Sequence, residues 1–448
     1  MTILEDQRHV SSPLEVDDGD IGQSVYALAS RIFPLCRSIT GQGVRDTIGI
    51  LGEYIDIKCQ AVPSGTRAFD WTVPSEWVVR DAYVRNSSGR KVIDFQANNL
   101  HLLNGSIPVR EIMSLAELRP HIHTLPLQPD LIPYKTAYYT DAWGFCMAHR
   151  DFAALEEGDY EVVIDTEKMA GNLYYGEYLH AGASDREVLL YAHICHPSLA
   201  NDNCSGVALL TCLAASMASM HTRYSYRFLF APGTIGSLVW LSRNEHRLHT
   251  MAHGLVLSCI GDGGGPNYKR SRRQNATIDR IAACVRCGED QQVPILSDFS
   301  PYGYDERQFC SPGFDLPVGL LQRSAFGTFP QYHTSADNLD FIRPEHLGSS
   351  FRMVRDIVEA LENNWTPVSN SPKGEPQLGK YGLFPSIGGH KTNSDMTMAY
   401  LWVLNLADGQ HSLLDIAERS TMSFGDVLQA ARTLRDAGLV SSLGFLEG

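Results

Sequence analysis

From about residue 160 the chain alternates between short, unbroken apolar runs and apolar segments of helical period. The runs cover 160–165, 188–193, 226–231 and 254–260, while 206–217 and 235–241 carry buried-helix patterns. Apolar runs of this length bounded by turn residues read as buried parallel strands, and their alternation with helices predicts an α/β fold with a doubly wound, mostly parallel sheet. The core continues through 316–321 and a helix over about 344–364. Upstream, helical periodicity runs from 21 to about 54, broken at Pro34 and by the glycines and hydroxyls of 38–43. Between about 66 and 133 the pattern changes to short β-like runs, such as 77–85 and 91–95 around a turn at 86–89.

These patterns divide the chain. Residues 1–20 are acidic and turn-rich and are expected to form a mobile arm. Segments 21–65 and 134–365 form the α/β domain, with 66–133 as an inserted β-rich domain. A Pro/Ser/Asn/Gly-rich linker over 366–389 precedes a last unit at 390–448. That unit predicts helices at 394–406, 412–419 and 423–437, the last stopped by Gly438, and a strand from 439, which is the layout of a winged helix. From Lys391 onward it holds four lysines and arginines against seven carboxylates. Such a module lacks the counter-charge that supplies phosphate affinity, so packing or homo-oligomerisation is expected of it and nucleic-acid binding is not.

Composition narrows the class further. A chain of 448 residues, 44% hydrophobic and 20% charged, is globular and buries a large core. Its formal charge of -14 argues against nucleic acid or anionic membrane as the main partner. The first residues lack a basic segment followed by an apolar core, and no apolar run reaches membrane-spanning length, so a cytoplasmic location is expected. Ten cysteines, mostly in apolar contexts, suit reduced thiols. The lone pair Cys284 and Cys287 sits in a helical pattern and reads as packing rather than a metal or redox motif.

The chemistry concentrates at strand ends. His193 closes one apolar run, and Asp202 follows in a loop of small residues before the 206–217 helix. Asp262 follows the 254–260 run, and His333 lies in the stretch 332–338. Ligands of open α/β sheets bind at the carboxyl ends of strands, and two histidines with two carboxylates are ordinary zinc ligands that leave room for water. A single strand-end histidine is more often a satisfied polar group. Four such residues after four separate runs argue for a metal.

The stretch 193–206, reading HxC and then Ala-Asn-Asp-Asn-Cys-Ser-Gly, resembles the HxD and GAxDNxSG signature of the zinc aminopeptidase superfamily that also includes glutaminyl cyclases. The stretch 302–309 resembles its SDHxxF element, and 332–337 its closing YHTxxD. Together with 193–197, 232–237, 305–309, the inserted β domain and the terminal winged helix, the chain is similar to bacterial aminopeptidase-like proteins associated with polysaccharide biosynthesis. The resemblance implies that His193, Asp202 and Asp262 bind one metal, that Asp202 bridges to a second held by His333 and a glutamate, and that the Asp202–Asn203 peptide is cis.

One departure is large. The superfamily carries an adjacent glutamate pair, one a base and one a ligand, where this chain reads Pro232, Gly233 and Thr234. One zinc held by His193, Asp202 and His333, with Asp262 as a further candidate, is therefore expected, and a second would bind weakly at best. Glu306 and Asp305 are the first candidates for the missing base, with Glu177 a distant third; either could equally orient His333. Candidate substrate contacts are Arg272 and Arg273, whose planar forks suit anions, together with Asn99, His101 and His196. A solvated basic turn, a seat for the inserted domain and a locally bonded loop histidine are the plainer readings of the same residues.

Three functions remain open at this level. The first is a zinc-dependent hydrolase of an amide or peptide-like bond in a small molecule or short peptide-like substrate, in secondary-metabolite or polysaccharide assembly. The second is non-hydrolytic acyl or amine transfer or cyclisation on the same scaffold. The third is a ligand-binding regulator built on a decayed enzyme.

Overall fold

The computed structural model describes residues 20–286, 292–383 and 394–443. The expected arm up to residue 19, Cys287 and the 384–389 part of the linker lie outside the described residues. An eight-stranded sheet forms the centre, in the order Lys58–Pro63, Asn172–His180, Ser225–Ala231, Glu187–His193, Met251–Leu257, Val318–Gln322, Asn267–Lys269, Ile295–Ser297. The four strands from Ser225–Ala231 to Val318–Gln322 are parallel. Glu187–His193, Ser225–Ala231 and Met251–Leu257 are buried at every position, which is why they appear in the sequence as unbroken runs. Helices Ile21–Ile32, Gly206–Met217 and Pro344–Asn363 pack on one face, whereas Ile235–Asn244 covers the other.

A buried ion-pair network crosses this sheet. Arg227, 3% exposed, donates to Glu187 at 2.6 Å and to Glu177 at 2.5 Å, and the Trp240 indole donates to Glu177 at 3.0 Å. Glu177 is therefore a structural partner of Arg227.

The inserted domain is larger than the sequence reading allows. The 160–165 run belongs to strand Asp159–Met169, which pairs antiparallel with Glu76–Asn86 and Val109–Ser114 in a separate four-stranded sheet completed by Lys91–Asp94. An apolar run reports a strand and its burial; it does not report which sheet the strand joins. The linker also contributes structure. Its residues Pro367–Ser369 pair with Val440–Ser442, closing the wing of a module built from Ser394–Leu406, Leu413–Ser420 and Phe424–Asp436. This module rests on the α/β domain through Arg280, which bonds Asp415 and Glu418, and through Arg432, which bonds Glu359 and Asn363.

Among the described residues every cysteine is free, and no helix is long and apolar enough to cross a membrane.

Candidate metal centre

The carboxyl ends of the parallel strands carry the candidate ligands. His193 is the last residue of its strand, paired in register with Ala231, so its ring leaves the sheet where the chain turns away. The following turn brings His196 back, and residues 200–205 deliver Asp202, which is 0% exposed. The Asp202–Asn203 peptide is cis, as the resemblance implies, and so is Gly233–Thr234.

Asp202 is the hub. Its Oδ1 lies 2.9 Å from His193 Nε2, and its Oδ2 lies 3.0 Å from His333 Nε2 and 3.9 Å from His196 Nε2. The ligand atoms of His193, His196 and Asp202 all fall within 4.8 Å of one another, and His333, outside that group, joins it through Asp202 Oδ2. His193 Nε2 is buried and makes no well-aligned hydrogen bond although Asp202 Oδ1 lies 2.9 Å away, while Nδ1 faces the Asn203 amide at 3.4 Å. A buried ring nitrogen so placed against a shared carboxylate is what a cation would complete.

Protonation suits that role. Burial alone would push the Asp202 carboxyl up, but His196, His193 and His333 hold it well below the usual carboxylate range. Burial pushes His196 well below the usual imidazole range against the pull of Asp202. Ionised carboxylate and neutral imidazole are the forms that bind metals.

Three tyrosines enclose the cluster. Tyr304 stacks on His193 with centroids 5.0 Å apart, Tyr332 stacks on His333 at 4.0 Å, and Tyr134 meets His333 edge-on at 5.2 Å and His196 at 5.1 Å. Tyr134 arrives from the end of the inserted segment and is pinned by its backbone N–H, which donates to the His333 carbonyl at 2.8 Å. Behind the loop, Arg37 donates to the His196 carbonyl at 2.9 Å and to Cys204 Sγ at 3.0 Å.

The other expected residues take different places. Asp262 is not among the grouped ligand atoms: its Oδ1 accepts from Gly264 N and Ser324 Oγ, both at 2.7 Å, and its Oδ2 from Asn201 Nδ2 at 2.8 Å. In this way it braces the loop that carries Asp202. Asp305 is buried and accepts from Tyr191 at 2.8 Å and Ser237 at 2.6 Å. A Cβ on Gly233 would stand 2.8 Å from Asp305 Oδ2 and 3.4 Å from the His193 Cβ. Asp305 thus reaches the turn that stands in place of the glutamate pair. Glu306 is fully buried against Lys269 at 2.8 Å, with Oε2 unpartnered. Burial raises both carboxyls above the usual range.

Of the expected substrate contacts, only His196 joins the cluster. Asn99 donates to Ser198 Oγ at 2.8 Å and to the Pro34 carbonyl, bracing the His196 loop, and His101 Nδ1 sits 2.8 Å from the Cys146 carbonyl. Arg272 and Arg273 both pair with Asp315 at the surface. Tyr304 and Tyr332 were legible as parts of the 302–309 and 332–337 stretches, whereas nothing in the sequence around Tyr134 signals its approach.

Comparison with known proteins places the fold. A Clostridium acetobutylicum protein, named provisionally as a polysaccharide biosynthesis protein with an aminopeptidase-like domain, is 49% identical over 420 residues, covering 93% of this chain and 96% of that protein. A crystal structure from the same organism, described provisionally as a peptidase, superposes with a TM-score of 0.89 at 47% identity over 95% of this chain and 97% of its own. A zinc aminopeptidase from Bacillus subtilis shares the fold at 14% identity, with a TM-score of 0.55 over 79% of this chain and 96% of its own. Residues 365–442 match a winged helix-turn-helix family. Residues 26–364 match the family described as a domain of unknown function, DUF4910, and the chain belongs to that family, an aminopeptidase-like α/β domain followed by a winged helix.

Proposed function

We propose that this chain is a hydrolase of an amide or peptide-like bond in a small substrate, working with one zinc ion held by His193, Asp202 and His333. The observation that carries this reading is the buried Nε2 of His193, without a well-aligned hydrogen bond, facing the Asp202 carboxylate that His333 shares. Zinc bound there supplies Lewis acidity to a carbonyl oxygen and acidity to water. The protein's own part is to hold three ligands in fixed orientation. Asn203 faces His193, Tyr332 backs His333, and Asp337 ties down the Asp202 backbone. With tyrosines against each histidine, the cluster suits a small substrate better than a folded protein.

The glutamate pair has no residue in its place, and Asp305 is the carboxylate nearest that turn. In this reading Asp305 takes the proton-handling role, with its raised affinity for protons suited to accepting one. Glu306 stands in an ion pair with Lys269 and serves as its support. A substrate drawn from polysaccharide assembly is in keeping with the name of the Clostridium relative.

The test is metal analysis of the purified chain, followed by a screen of aminoacyl amides, short peptides and acylated amino sugars. One zinc per chain and turnover lost in His193→Ala, with solvent oxygen entering the product, are expected. Absence of stoichiometric zinc, or turnover unchanged by His193→Ala, would overturn the proposal.

A further inference from the structure

At the amino ends of the parallel strands, opposite the candidate metal centre, a cavity of about 310 Å³ lies between the α/β domain and the winged-helix module. Arg186, Arg223 and His253 line one side, from the starts of three adjacent strands, and Arg280, Ser412 and Asp415 line the other. Arg280 already bonds Asp415 at 2.7 Å and Glu418 at 2.5 Å. The nearby Glu362 accepts the backbone N–H groups of Arg223 and Tyr224 and the Tyr226 hydroxyl. Asp415, Glu418 and Glu362 are thus each bonded to these donors.

His253 is not matched in this way. It is 7% exposed, its Nε2 faces the Tyr224 hydroxyl at 3.4 Å, and its Nδ1 has no hydrogen-bond partner. Burial, then the charges of Arg186 and Arg223, push its pKa down to about 3, so the ring is neutral at physiological pH. In the tautomer whose Nε2 accepts from the Tyr224 hydroxyl, the ring proton sits on Nδ1 as a buried donor lacking an acceptor. Arg223 is held in a fixed pose, its guanidinium 4.2 Å from the Tyr224 ring centroid and its Nη2 donating to the Leu361 carbonyl at 2.8 Å.

We propose that this cavity binds a small phosphate-type oxyanion, held by Arg186, Arg223 and His253 at the seam between the α/β domain and the winged-helix module. Guanidinium groups recognise such oxygens in paired geometry, and a neutral imidazole N–H adds a donor without adding charge. The volume fits a free ion or a single phosphoryl group. An anion seated there touches both modules, so binding strengthens their docking. The site is independent of the metal reading. Strand Glu187–His193 separates the two, with Arg186 before its first residue and His193 as its last, which is about 20 Å at an extended rise per residue.

Inorganic phosphate titrated into the full chain tests this, by calorimetry and thermal melting at fixed ionic strength with chloride as the control. Saturable one-site binding and a rising melting temperature are expected, both retained in His193→Ala. Arg186→Glu and His253→Leu should each weaken binding by at least about tenfold. Should Arg186→Glu fail to fold, Thr277→Glu places a carboxylate at the same cavity from the first turn of a helix, where it is tolerated, and should abolish binding. No saturable effect beyond that of chloride overturns the proposal. So does binding that survives the folded cavity variants, or that is lost in His193→Ala, which would assign the phosphate to the metal centre.

Discussion

Asp337 accepts the backbone N–H of Asp202 at 3.0 Å through one carboxylate oxygen and that of Asn201 at 2.6 Å through the other. The candidate metal-binding carboxylate of the site is therefore aimed by a second carboxylate, Asp337. Asp337 is completely buried, and burial pushes its pKa up to about 8 against the pull of these N–H donors. Replacing it by leucine strands two buried donors. We expect Asp337→Leu to cost about 2–4 kcal/mol in chemical denaturation and to weaken zinc binding, and Asp337→Asn, which keeps one acceptor oxygen, to cost about half as much. Equal stability of Asp337→Leu and the parent chain would count against this account.

The Lys269–Glu306 pair gives a second test. Lys269 is 4% exposed and Glu306 0%, so each neutralises a charge that water does not reach. Removing one partner leaves the other stranded. Lys269→Met is expected to destabilise the chain by about 3–5 kcal/mol, whereas the double change Lys269→Met with Glu306→Leu should recover most of the loss. Asp305 separates from Glu306 in the same experiments. In an activity assay Asp305→Asn should lower kcat by about a hundredfold or more as a proton-handling group. Glu306→Gln should act through stability and leave kcat near the parent value in chain that remains folded.

How much of this was legible in the sequence follows from what each signal encodes. The buried strands were plain because burial on both faces leaves a run with no polar interruption, as in Glu187–His193. His193 was legible as the end of such a run, and Asp202 and His333 as members of the 193–206 and 332–337 stretches. Asp262 occupies an equivalent strand-end position, but its neighbours Ser324 and Asn201 supply the hydrogen bonds that hold it to the loop, and those arise from distant parts of the chain. The same limit hid Tyr134, which reaches the histidines only because residues 132–134 pair with the His333 loop. It also placed strand Asp159–Met169 in the wrong sheet, since register is a property of two segments and periodicity a property of one.

The winged-helix module carries a prediction about nucleic acid. In such modules the second helix of the helix-turn-helix enters the groove, here Phe424–Asp436. Its two arginines are engaged by the chain itself: Arg432 bonds Glu359 and Asn363, and Arg435 lies 5.8 Å from the Trp365 ring centroid. With few cations left for phosphates, the full chain should leave the anisotropy of a labelled random-sequence duplex unchanged at about 0.15 M salt. A salt-sensitive rise in anisotropy that Arg432→Glu abolishes would mean that the helix leaves its seat to bind DNA.

The seat of that module also holds a titrating group. Asp356, on helix Pro344–Asn363, shares a cavity with Glu359 and with Ser423 and Asp426 of the module. Its pKa is pushed up to about 6, first by burial and then by the nearby Glu359 charge, with Arg355 and Arg352 opposing. An unfolded aspartate titrates near 3.9. Between these values the folded chain binds the extra proton, so the group's favourable contribution is fully present below about pH 4 and is lost as the pH rises through about 6. Asn cannot ionise. Asp356→Asn should therefore match the parent at pH 4 and exceed it at pH 8 by about 1 kcal/mol, a figure kept small because the side chain is 40% exposed and solvent screens it. Melting curves of the two proteins from pH 4 to 8 should converge at the acid end. Curves that stay parallel across the range would mean that this carboxylate titrates as it does in the unfolded chain.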